Sequence, residues 1–115
     1  MSVDFTPPIR IARGPSARLR EALVALAGDQ PQLTRQSERA WASITFEGAR
    51  HTFELSFAGH VAVAGGEAFV AELPDHEFSV PGHLVAEATV VAVEHTLAPE
   101  PHMTVTCELL LLKDA

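Results

Sequence analysis

The chain has 115 residues, 47% of them hydrophobic, which suits one globular domain and leaves no room for two. Its single cysteine, Cys107, excludes an intrachain disulfide and any cysteine cage for a metal. The net charge of −7 argues against nucleic acid, whose phosphates need a cationic face. No run approaches the roughly 18 apolar residues of a membrane-spanning helix. With no basic-then-apolar leader either, a cytoplasmic protein that binds neither membrane nor nucleic acid is expected.

The charge is lopsided. Residues 1–50 hold seven of the eight basic residues against five acids, whereas residues 51–115 hold only Lys113 against ten acids and all six histidines.

Residues 1–15 read as an extended arm. Pro7-Pro8 forbids regular helix, and Ile9 and Ile11 suit a short edge strand. A helix is predicted over 16–27, with Ser16 as N-cap and Leu19, Ala22, Leu23 and Leu26 on one face. Gly28 ends it.

A hairpin is predicted over 39–57. Placing Gly48-Ala49 in a two-residue type II′ turn sets Glu47 opposite Arg50, Ile44 opposite Phe53 and Ala42 opposite Leu55. Ile44, Phe46, Phe53 and Leu55 would then share the core face, and Trp41 would lie on the polar face opposite Ser56. An aromatic stranded on a wet face is what a partner-binding surface shows.

Phe69, Val70 and Leu73 keep helical spacing, so a helix is predicted over 62–73 and stopped by Pro74. Gly65-Gly66 leaves a strand over 60–64 as the competitor. Strands follow near 83–96 and 102–112. The alternation of the first breaks at Val90-Val91, which suggests a bulge or a change of environment. In the second, Met103, Val105, Cys107, Leu109 and Leu111 form a dry face. Leu110 and Leu112 then point the opposite way and would need cover from the arm, a loop or a second copy.

At an offset of 46, Glu21-Ala22-Leu23-Val24-Ala25 matches Glu67-Ala68-Phe69-Val70-Ala71, and Asp29, Ala40 and Ala42 match Asp75, Ala86 and Ala88. This suggests an internal repeat of helix–strand–strand units over 16–57 and 62–112. The expected fold is therefore α+β, a four-stranded antiparallel sheet with two helices on one face.

Motifs for chemistry are sparse. Asp75 beside His76, with His83 and Glu87 further on, is the first candidate acid–base or metal-ligating group, the His95–His102 pair being a second for metal, and its spacing matches no metal motif. His95 and His102 flank the last loop and are expected as cross-strand neighbours. There is no nucleophile elbow and no phosphate-binding glycine loop, so neither cofactor nor metal is expected. Two functions remain. One is a non-enzymatic binding or interaction protein, acting as a homodimer through Trp41, Leu110 and Leu112. The other is a small hydrolase- or isomerase-like enzyme built around Asp75, His76 and His83.

Overall fold

A computed structural model describes residues 14–28 and 31–114, so the predicted arm over 1–13 and the Asp29 match lie outside the described residues. The chain runs helix α1 (Pro15–Leu26), strands β1 (Gln32–Ala42) and β2 (Glu47–Ala58), helix α2 (His60–Glu72), a 3₁₀ turn (Leu73–Asp75), and strands β3 (His83–Thr96) and β4 (His102–Lys113). All strand pairs are antiparallel and the order across the sheet is β1-β2-β4-β3. Both helices cover one face, making an α+β domain of two layers.

Helix α1 begins one residue earlier than its predicted start. Gly14 is the N-cap and Pro15 opens the first turn, where a missing N–H costs nothing. Ser16 is not the cap. Its hydroxyl instead accepts a 3.4 Å bond from the Gln36 side chain on β1, and Arg20 bonds the same Gln36 at 3.2 Å. Leu19 and Leu23 are buried as their spacing requires, and Gly28 leaves the helix at φ 89°.

The region from His60 to Glu72 is helix, and no strand forms over 60–64. The two internal glycines that favoured a strand serve close packing. A side-chain carbon on Gly65 would stand 2.9 Å from the carbonyl of Ala27, and one on Gly66 2.8 Å from the Met103 sulfur. Helix α2 can thus approach Ala27 at the C-terminal end of α1 and lie against Phe57 and Met103 of the sheet.

The predicted first hairpin is corrected. Its turn is Ser43-Ile44-Thr45-Phe46 rather than Gly48-Ala49, and Ala42 pairs with Glu47, Trp41 with Gly48 and Gln36 with Phe53. Ser43 makes the turn: its N–H donates to the Phe46 carbonyl at 2.7 Å and its hydroxyl accepts from the Phe46 N–H at 3.1 Å. Ile44 and Phe46 therefore project at the hairpin tip, fully exposed and half exposed, instead of entering the core. Gly48 has a different purpose. A side chain there would strike the Leu111 carbonyl oxygen and come within 2.8 Å of the Leu112 Cα, so only glycine lets β2 approach β4.

The dry face survives this change because β2 and β4 each alternate strictly. Phe53, Leu55 and Phe57 on β2, and Met103, Val105, Cys107, Leu109 and Leu111 on β4, are all buried beneath the helices. Strand β3 carries the expected bulge at Val91 and a second one at Ala86.

On the opposite face, Trp41, Gly48, Leu112 and Leu84 form one row across the sheet, and Arg39, Arg50, Leu110 and Glu87 form the next. Leu110 and Leu112 are not left bare, being only 4% and 6% exposed within a single chain. Arg50 and Glu87, the two neighbours of Leu110, join at 3.2 Å, so their ion pair passes above it.

Helices α1 and α2 start 45 residues apart, at Pro15 and His60, but β2 and β4 start 55 apart, at Glu47 and His102. The 46-residue offset therefore registers the helices and not the hairpins. Ala40 lies near the end of β1 and Ala86 near the start of β3.

Two substitutions test this packing. Phe53→Ala should lose about 3–5 kcal/mol in urea unfolding, the cost of an unfilled core cavity. Gly48→Ala should lose about 1–3 kcal/mol through overpacking against β4. A near-neutral Gly48→Ala would mean that the glycine serves a turn after all.

Candidate functional site

The helices leave the β1–β2 turn end of the covered face partly open. The opening is a cavity of about 400 Å³ bounded by Gly14, Pro15 and Ser16 at the start of α1, Glu38 and Ala40 on β1, Ala49 and His51 on β2, His83 on β3, and Leu111 and Lys113 on β4. Pro15, Ala40, Ala49 and Leu111 supply apolar walls, and every other named side chain is polar or charged.

His51 is the unusual member. It continues the stripe of Phe53, Leu55 and Phe57 toward the open end, and its ring lies nearly parallel to Phe53 at 6.2 Å between centroids. Only 3% of the residue is exposed, yet its Nδ1 has no hydrogen-bond partner among the described residues. Glu38, its cross-strand partner, brings a carboxylate oxygen to 3.7 Å, too far for a hydrogen bond. Burial lowers the pKa of His51, the Glu38 charge partly opposes this, and nearby His83 lowers it further.

His83 is fixed by a 3.0 Å contact between its Nδ1 and the Pro81 carbonyl, which requires Nδ1 to carry the proton and turns Nε2 into the acceptor of the neutral ring. Lys113 pairs with Glu47 at 3.2 Å, with both side chains largely exposed.

Of the candidate site residues read from the sequence, only His83 reaches this cavity. Asp75 ends the 3₁₀ turn, exposed, and His76 follows with its ring edge against Phe78 at 4.5 Å. Glu87 lies on the other face with Arg50. His95 and His102 are not cross-strand partners. His95 faces Met103 on the helix-covered side, and His102 pairs with Thr96 on the outer side, bonding Ser56 at 2.9 Å. Among the described residues no three histidine, cysteine or acidic side chains gather as a metal site. No described helix is long and apolar enough to cross a membrane. Trp41 is half-buried on the outer face.

No protein-family model matches this chain, and neither does any curated protein or solved structure. The cavity must be read from its own chemistry.

Two measurements check this environment. Unfolded, His51 takes a proton near 6.5, and folded it resists until a lower pH. Its share of stability is therefore complete above that value and lost as pH falls toward the depressed one. Urea unfolding at pH 7.5 and 5.5 should show wild type losing ground to His51→Phe at the lower pH; parallel curves would contradict the burial. Cys107, whose thiol burial and then Glu108 push up to about 12, should stay unreacted with a thiol reagent at pH 8 until the protein unfolds.

Proposed function

We propose that this chain is a small non-enzymatic binding protein that holds its ligand in the cavity beside α1. The observation that carries this reading is the orphaned Nδ1 of His51. Folded proteins rarely leave a buried polar atom without a partner, and an unmet one costs about 1–3 kcal/mol. A ligand seated against the His51 wall would supply that partner. The enzyme reading loses support because Asp75 and His76 stand outside the cavity and leave His83 without them. The site's polar groups suit recognition: fixed donors and acceptors at the mouth, small apolar walls behind.

A second reading, homodimerisation, rests on charge. Strands β1 and β2 place Arg35, Arg39 and Arg50 on the outer face, with Glu54 among them held by Thr34 at 2.8 Å. Strands β3 and β4 place Glu87, Glu94 and Glu108 there. A two-fold axis laying this face on a second copy sets each basic half over an acidic one. Trp41 and the 55% exposed Leu84 would close over the buried floor of Leu110 and Leu112 at one end of that interface. A single buried cysteine and the acid excess fit a cytoplasmic setting without nucleic acid. The two helix–hairpin units, symmetric in strand order, fit a duplication with about five more residues between helix and hairpin in the second unit.

A fragment screen followed by ¹H–¹⁵N NMR tests the first reading. Bound fragments should shift Ser16, Ala49, His51 and Leu111 together; a screen whose hits never touch them would refute it. Sedimentation tests the second. The wild type should run at twice the 12.3 kDa chain mass. Arg35→Glu with Arg39→Glu should run as monomer, and adding Glu87→Arg with Glu94→Arg should restore the dimer. A monomeric wild type would exclude it.

A further inference from the structure

Resting on the cavity reading, we infer that the group this site recognises is a carboxylate, seated on the N-terminus of α1 and against His51. Two independent observations meet there. The first is the start of a 12-residue helix that no side chain among the described residues caps and whose first turn holds no acid. The first bond of the helix is from the Arg18 N–H to the Gly14 carbonyl, so the N–H groups of Ser16 and Ala17 have no partner within it. Such an end attracts anions through its free donors and its dipole. The second is His51, nine-tenths buried and more, in the wall of the same cavity with Nδ1 unmet.

The surrounding charges decide the class. Lys113 on β4 stands at the mouth, its ammonium paired with Glu47 on β2. Glu38 on β1 is the one carboxylate among the described residues of the wall, and His51 stands 3.7 Å from it. An arriving carboxylate would place His51 between two negative groups. The ring then takes one proton from solvent, and its two N–H groups can answer both charges. Binding thus carries proton uptake, and affinity rises as pH falls toward the ordinary histidine range, until the unliganded ring or the ligand's own carboxyl takes the proton instead. The remaining walls, Pro15, Ala40, Ala49 and Leu111, suit a short hydrocarbon or single-ring body within about 400 Å³.

The test is ¹H–¹⁵N NMR of the full chain titrated with sodium benzoate and with benzamide, its neutral isostere. Benzoate should shift the Ser16 and Ala17 amides and the His51 ring. It should bind more tightly at pH 6.5 than at 7.5, approaching about tenfold for one linked proton. Ser16→Asp puts a carboxylate into the first turn, where it favours the helix, and should abolish benzoate binding in a protein that stays folded. Benzamide binding as well as benzoate at these residues would overturn the carboxylate and leave the cavity reading standing. Neither probe shifting them, while fragments of other chemistry do, would also overturn the carboxylate alone. Benzoate binding undiminished in Ser16→Asp, or growing weaker as pH falls to 6.5, would remove the seat proposed here.

Discussion

The antiparallel ladder joining β2 to β4 is the contact on which everything else in this domain hangs. It runs for eleven consecutive pairs from Gly48–Leu112 to Ala58–His102 without a bulge. Because side chains alternate, this one register lays Phe53, Leu55 and Phe57 beside Cys107, Val105 and Met103 on a single dry surface. A slip of one residue would send every one of them to the wet side. Gly48 permits the register at one end, where any side chain would strike the backbone of β4. The edge strands β1 and β3 then add to a centre already fixed, with β3 absorbing mismatches in its two bulges.

Helix placement follows from that centre, and the cavity from helix placement. Helix α2 is drawn onto Phe57 and Met103 at one end of the ladder by Gly66, and onto α1 by Gly65. Nothing comparable draws a helix over the other end, where α1 only begins. There the dry stripe carries His51 instead of a hydrocarbon, with Ala40 and Ala49 too small to fill the space. A titratable ring is thus held at the boundary between core and solvent. Desolvation depresses its pKa while Glu38 pulls the other way. Recognition at such a boundary needs no special motif, only a polar group that the fold leaves unsatisfied.

Periodicity made most of the fold legible. Leu19 and Leu23 fixed the buried side of α1, and the alternation from Met103 to Leu111 fixed that of β4, because each signal depends only on near neighbours in sequence. Glycine misled at one place and clouded another. Gly48 reads as a turn and Gly65-Gly66 keeps a strand open against the predicted helix, whereas each marks a place where two backbones or a helix and a side chain come close. Such closeness belongs to partners dozens of residues away. The cavity was hidden for the same reason, since Ser16, Glu38, His51, His83 and Lys113 meet only once the sheet is assembled. Asp75 and His76 drew attention by standing together in sequence, which does not place them near His83. One clue to the site was available: His51 occupies a position whose successors at every second residue are Phe53, Leu55 and Phe57. A histidine on a dry stripe is a buried polar group in need of an account.

The register itself is open to a direct measurement. Backbone nuclear Overhauser contacts in a labelled sample should link Phe53 to Gln36 on one side and to Cys107 on the other. His51 should likewise be linked to Glu38 and Leu109. Contacts linking Phe53 to Ile44 and His51 to Phe46 would instead place the turn at Gly48-Ala49. That outcome would separate Glu38 from His51 and contradict the account at its base.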